Sequence, residues 1–240
     1  MTLTIDTQKT VRDLALEIPS ATRIFEKLGI DYCCGGSRTL SDACANVGIP
    51  LEQVVTSLEA AQQPPQDAVD WKEKSLFELI SHIVAKHHAF TRQEIERLDS
   101  LTDKVCSVHG KNHPELEQIR ALFRGLGQEL FVHMHKEEQV LFPYVVRMEE
   151  AISNGEPVPV PLFGTVQNPI RMMMFEHDAA GEVLRKIRQA SSNFTVPPDG
   201  CISYQTLYQA LEAFEQNLHQ HIHLENNILF PRAIEMESAA

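Results

Sequence analysis

Two stretches of this chain read alike: His133–Pro143, HMHKEEQVLFP, and His221–Pro231, HIHLENNILFP, 88 residues further on. Each has the form H-x-H-x-E followed by L-F-P at the same offset. On a helix, positions four apart lie one above the other, roughly 6 Å apart, whereas positions two apart point to opposite sides. His133 therefore faces the same way as Glu137, and His221 the same way as Glu225. His135 and His223 face elsewhere on an unbroken helix. Leu141 and Leu229 continue the apolar face, which puts each imidazole–carboxylate pair among core positions. A carboxylate buried there needs a partner, and a metal ion supplies one. Core histidines satisfied by hydrogen bonds are the alternative; a duplicated pair at matching spacing argues against it.

The repeat reaches outward. His88 precedes His133 by 45 residues and His177 precedes His221 by 44, so the second half of the chain reads as two related helix pairs. One histidine from each remaining helix completes a set of four imidazoles and two carboxylates. That is too many ligands for one tetrahedral zinc and suits two iron or manganese ions bridged by the carboxylates. On the first helix the choice stays open. Leu76, Leu79, Ile80, Ile83, Leu98 and Leu101 form a stripe of period 3.6, with His87 near its middle, His88 at its edge and His82 well off it. Periodicity favours His87, and the repeat spacing favours His88. His109 lies 21 residues beyond His88, roughly 31 Å along a continuous helix, and reads as a loop or supporting residue. Glu129, one turn before His133, could orient an imidazole from outside the ligand set; otherwise it is an exposed carboxylate.

The elements that must position these groups are helices. From Trp71 onward four long ones are expected. The first carries His87 and His88, and the second, about Pro114 to Ile152, carries His133 and Glu137. The third, capped by Asn168 with Pro169 at its first position, brings His177, and the fourth, about Ser203 to Met236, carries His221 and Glu225. Gly125 and Gly127 weaken the second, and Pro143 should bend or break it. Met172, Met173 and Met174 read as core filling, with some lining a dry approach to the metals.

Before Trp71 the chain reads as short helices: one after Pro19-Ser20 that stops at Gly29, one capped by Thr39 or Ser41 that stops at Gly48, and one opened by Pro50. The fold class is therefore all-α: a small helical domain over residues 1–62, a polar, proline-containing linker over 63–70, and a four-helix bundle over 71–240. The small domain holds Asp31-Tyr-Cys-Cys-Gly-Gly36 in a turn. Adjacent cysteines cannot close an ordinary unstrained disulfide; glycines at positive φ would expose the sulfurs, and a helix starting soon after would favour thiolate. Alternatively Cys33 and Cys34 fill space beside a tight turn. Cys44, Cys106 and Cys201 are isolated and read as small hydrophobes.

A net charge of −12 argues against nucleic acid and against an anionic membrane surface. No apolar run approaches the ~20 residues of a membrane span, and MTLTIDTQKT lacks the apolar core of a secretory signal. Five cysteines fit reduced thiols better than a disulfide framework. The expected location is the cytoplasm.

A DYCCGG domain followed by H-x3-E, EHD-x-x-G-E and H-x3-E-N-N-x-L-F-P resembles the repair of iron centres family, and the likeness covers nearly the whole chain. It implies a hemerythrin-like up-down bundle with two irons, oxo- or hydroxo-bridged. Carried over by position, the iron ligands fall on His88, His133, Glu137, His177, His221 and Glu225, with Glu137 and Glu225 bridging, which settles the first helix in favour of His88. The thiols for iron or NO transfer fall on Cys33 and Cys34, and His109 matches a histidine of the family pattern. His87, His135 and His223 depart from it. The resemblance further implies restoration of iron–sulfur clusters after nitrosative or oxidative damage, by iron donation or by reduction of NO to nitrous oxide with electrons from an outside donor. Its partners would be damaged iron–sulfur proteins, with NO or O2 as small ligands and a second copy of the chain as a homodimer. The bundle alone fits a rival equally well, a hemerythrin-type O2 or NO binding or sensing module without turnover. The DYCCGG domain tips the balance, since a reversible carrier has no evident need of exposed thiols.

Overall fold

A computed structural model describes residues 5–18, 20–60 and 69–239. Pro19 and all but the end of the expected linker lie outside the described residues. Everything regular among the described residues is helical apart from one isolated bridge between Thr10 and Thr39, so the fold is all-α. No helix among them is long and apolar enough to cross a membrane.

The chain divides into two compact units. One comprises residues 1–74 together with Ile222–Pro231, and the other Ser75–His221 with Arg232–Ala240.

In the first unit, α1 (Val11–Glu17), α2 (Ala21–Leu28), α3 (Leu40–Val47) and α4 (Leu51–Ala60) surround a core of Val11, Leu14, Phe25, Leu40, Val54 and Leu58. The Thr39, Gly29 and Gly48 caps follow the sequence, and Thr10 adds one at the start of α1. The Thr10 and Thr39 hydroxyls accept from the backbone N–H of Asp13 and Asp42, and Gly29 and Gly48 end α2 and α3 at φ 66° and 71°. Of the two expected caps for α3, Thr39 is the one used. Cys44 is buried in this core, as a small hydrophobe would be.

From Leu76 onward the chain forms four long rods. The first is α5 (Leu76–His82), a π-helical turn π1 (Ile83–His88) and α6 (Ala89–His109). The second is α7 (Glu115–Lys136), π2 (Glu137–Leu141) and α8 (Phe142–Asn154); the third is α9 (Gln167–Ala190) alone. The fourth is α10 (Ile202–Leu224), π3 (Glu225–Leu229) and α11 (Phe230–Ala239). Pro143 does not break its rod. It is the second residue of α8, and Pro231 the second of α11. A proline removes one N–H and its ring crowds the carbonyl four residues back. Those carbonyls belong to Gln139 and Asn227, inside π2 and π3, where the helix widens. No proline lies in or just after π1. Gly127 lets α6 and α7 approach closely: a Cβ there would sit 3.0 Å from Ile95 Cγ2.

The internal repeat extends to helix capping. Glu149 accepts from the N–H of Leu76 (2.7 Å) and Phe77 (2.9 Å) at the start of α5. Its counterpart 88 residues on, Glu237, accepts from the N–H of Val166 at 2.8 Å, from the Thr165 hydroxyl and from Tyr144 Oη. A carboxylate at a helix N-terminus satisfies orphan donors and meets the positive end of the dipole. Asn168 is consequently not the cap of α9. It sits within the first turn and bonds Phe163 O and Arg171. The methionine run is also not uniformly core: Met173 is buried, whereas Met172 and Met174 are exposed.

Candidate metal centre

The rods bring His88, His133, Glu137, His177, His221 and Glu225 together. All are buried, and His88, Glu137 and Glu225 have 0% exposure. They form two quartets that share both carboxylates: His88, Glu137, His221, Glu225 and His133, Glu137, His177, Glu225, each with its ligand atoms within 4.8 Å of one another. Within the quartets the His88 and His221 Nε2 atoms are 3.1 Å apart, and those of His133 and His177 3.0 Å. Glu137 divides its oxygens between them, Oε2 at 3.4 Å from His88 Nε2 and Oε1 at 3.3 Å from His133 Nε2.

This donor set fits a metal ion. Ligand atoms about 2.1 Å from a common ion and at right angles to one another lie about 3 Å apart, the spacing found here. Two carboxylates removed from water among four imidazoles also gain most from a cation. Oxygen and imidazole nitrogen are the donors of hard to borderline metals.

Wide turns occur where three of these six residues sit. His88 is the last residue of π1, Glu137 the first of π2 and Glu225 the first of π3. Such turns recur at functional sites because they re-aim side chains without ending the helix. They also resolve the first helix. A turn with an extra residue puts both His87 and His88 inside, so the α-helical stripe could not choose between them. His88 joins the quartet. His87 instead lies flat against the His221 ring, with centroids 5.7 Å apart, and its Nδ1 is 3.2 Å from Asn217 Oδ1.

Two carboxylates hold ligand imidazoles from outside. His88 Nδ1 donates to Glu138 at 2.6 Å, and Arg92 binds the same carboxylate at 2.7 Å. His133 Nδ1 donates to Glu176 at 2.8 Å, and Lys136 binds Glu176 in turn. Each contact places the proton on Nδ1 and leaves Nε2 directed at the centre. Burial alone would raise both carboxyls, but His88 and Arg92 hold Glu138 below its ordinary value, and Lys136 and His133 do the same for Glu176. Glu129, for which the sequence allows either such a role or an exposed carboxylate, is exposed. Sequence reading missed Glu138 and Glu176, although each is the neighbour in sequence of a ligand, Glu137 or His177.

A cavity of about 460 Å³ borders one quartet. Leu126, Leu130, Val132, Phe175 and Ala180 line it, and it reaches His133 and His177.

The remaining histidines separate. His135 is exposed. His223 is buried, stands edge-on to Tyr32 with ring centroids 5.4 Å apart, and accepts at Nδ1 from Asn227 at 2.7 Å. Burial lowers its pKa to about 4, so the ring is neutral. His109 is far from the quartets in sequence and contacts Cys201, with Nε2 to Sγ at 3.2 Å. Cys201 is accordingly no core filler: it is exposed, whereas Cys106 is buried.

In the DYCCGG turn, Cys33 is buried and Cys34 half-buried, with sulfurs 3.8 Å apart. Asp31 Oδ1 accepts from the N–H of Cys33 (3.1 Å) and Cys34 (2.9 Å), and the three side chains form a further group able to hold a cation. For Cys33 the structure takes the second of the two expected readings, a side chain that fills space beside a tight turn, whereas Cys34 keeps partial exposure. The contact with Cys34 and burial push the Cys33 thiol well up, and the next helix begins only at Leu40. Neither glycine adopts positive φ. Gly36 is needed for close approach, since a Cβ there would lie 2.7 Å from Tyr32 O.

Comparison with known proteins agrees with this geometry. Residues 7–62 match a domain of unknown function, DUF542, and residues 79–233 match the hemerythrin HHE cation binding domain. The iron-sulfur cluster repair proteins YtfE of Yersinia pseudotuberculosis serotype IB and Yersinia pestis strain Pestoides F are each 35% identical to this chain over 224 residues. The match spans 93% of this chain and 96% of each relative. With both quartets of buried histidines and glutamates inside the matched region, the chain belongs to the hemerythrin HHE family and, within it, to that of the YtfE iron-sulfur cluster repair proteins.

Proposed function

We propose that this chain is a di-iron protein that restores damaged iron–sulfur clusters, with His88, His133, Glu137, His177, His221 and Glu225 as the iron ligands. The observation that carries the reading is the sharing of Glu137 and Glu225 by two histidine pairs, the arrangement by which carboxylates bridge two metals. When bound, two irons supply one-electron chemistry and open positions for NO or O2. The chain's own residues do the rest. Glu138 and Glu176 hold the imidazoles of His88 and His133 in one tautomer, anchored by Arg92 and Lys136. The cavity against His133 and His177, lined by Leu126, Leu130 and Phe175 and also by Lys136 and Glu176, is of a size to admit a small neutral gas.

Iron as cargo is the task of the first unit. Asp31, Cys33 and Cys34 offer one oxygen and two sulfurs in a single turn, a softer site than the quartets and suited to iron in transit to a client protein. Binding there costs the protons of two thiols, which keeps the hold reversible. The free state of all five cysteines fits a reducing compartment, the cytoplasm.

The deciding experiment measures iron content and restoration of an NO-damaged iron–sulfur protein for three forms of the full chain. Wild type should hold about two irons and restore the client. Glu137→Ala should lose both properties. The double change Cys33→Ala, Cys34→Ala should keep iron and lose restoration. Wild type that holds iron and binds NO without restoring any client would sink the repair reading and leave a gas-binding module.

A further inference from the structure

Cys201 and His109 lie 92 positions apart and share no residue with the quartets or the DYCCGG turn. His109 ends α6, and Cys201 immediately precedes α10. Their side chains meet with Sγ and Nε2 3.2 Å apart, and the sulfur is open to solvent.

The imidazole stands on a built support. Its ring is edge-on to Tyr204 (centroids 5.4 Å) and to His113 (6.2 Å). His113 is fixed from both sides, Nδ1 donating to Glu115 at 2.9 Å and Nε2 to Asp199 at 3.0 Å. Tyr204 Oη donates to the same Glu115 and meets Tyr208 Oη. Asp199, two residues before the cysteine, thus ties the Cys201 loop to the end of the rod that carries His109. The groups that meet the sulfur are the His109 imidazole and the backbone N–H groups of Ser203 and Tyr204 in the first turn of α10.

We propose that Cys201 and His109 form a nucleophilic thiol–imidazole site that takes up low-molecular-weight disulfides as a reversible mixed disulfide. The thiol proton passes to His109 Nε2. The thiolate attacks one sulfur of the small disulfide, and a Cys201 S–S bond forms as the original S–S bond breaks. The departing thiolate takes the proton back from His109. Cys201 is oxidised and one sulfur of the small disulfide is reduced to a thiol; excess small thiol runs the exchange backward.

The chemistry favours this cysteine over Cys33, Cys44 and Cys106. The backbone N–H of Tyr204, then His109, bring its thiol down to about 7, near the optimum for attack on a disulfide at neutral pH. Burial pushes Cys44 and Cys106 up, and the contact with Cys34 and burial do so for Cys33.

Two measurements on the full chain test the site. Incubation with oxidised glutathione at neutral pH, followed by peptide mass spectrometry, should place the adduct on Cys201. Site-resolved iodoacetamide alkylation against pH should give Cys201 a midpoint near that same lowered value. His109→Phe keeps a ring against Tyr204 and removes Nε2; it should raise the midpoint and slow alkylation at neutral pH by about threefold or more. A wild-type midpoint at the ordinary thiol value of about 8.5, a profile unmoved by His109→Phe, or an adduct elsewhere but not on Cys201 would each overturn the proposal.

Discussion

His88 Nδ1 and Glu138 Oε1 lie 2.6 Å apart, and the other half of the centre has its equivalent in His133 Nδ1 and Glu176 Oε2 at 2.8 Å. Each carboxylate belongs to a rod other than that of the imidazole it holds. Orientation of a ligand is therefore a property of two packed helices. Glu138→Ala and Glu176→Ala should each weaken metal binding by about 10- to 100-fold, read by competition with a chelator. Glu138→Gln, which keeps an acceptor, should lose less. Unchanged affinity in both alanine variants would mean that these contacts are only ion pairs of the rod surfaces.

Asn227 Nδ2 donates to Tyr32 O at 3.1 Å and to His223 Nδ1 at 2.7 Å, all within the first compact unit. Both acceptors are on buried residues, so Asn227→Ala should cost about 1–3 kcal/mol, seen as a lower denaturation midpoint. Asn227→Asp should be worse, since a carboxylate cannot donate to either acceptor. A midpoint that neither change moves would dismiss the contact as incidental.

Asp199, then Glu115, raise the His113 pKa above its ordinary 6.5. The folded chain holds this proton more tightly than the unfolded one. The contribution is therefore complete below pH about 6.5 and lost as pH climbs through the raised folded value. Tm for wild type should exceed that of His113→Gln at pH about 6, with the gap closing toward pH about 9 and shrinking in salt. A gap constant across that range would rule out the ion pairs as its source.

The sequence was informative wherever a relationship was local. His133 with Glu137, and His221 with Glu225, follow from the rise and turn of a helix alone, and the Thr39, Gly29 and Gly48 caps from residue type and position. It was silent where partners come from afar. Glu138 meets His88 across 50 residues and Glu176 meets His133 across 43, and nothing in either neighbourhood announces the pairing. Glu129, the nearer carboxylate on paper, is exposed, in line with its alternative reading. Cys201 misled for the same reason: its partner stands at the end of a distant helix. The His87 and His88 ambiguity had another origin, since a stripe of period 3.6 assumes a helix that stays α, and π1 does not.

The wide turns have a consequence for how the rods can vary. In the second rod, His133 and Glu137 lie at or before the start of π2, and Tyr144, Val145 and Met148 lie buried after it. Removing one residue from π2 would restore an ordinary helix but rotate everything beyond by about 100°, turning those core residues toward water while the ligands stayed put. The ligand register and the core register on one helix are thus out of step by a single residue, and π2 is where the mismatch is absorbed. A better helix and a working centre are competing outcomes of the same short stretch of chain.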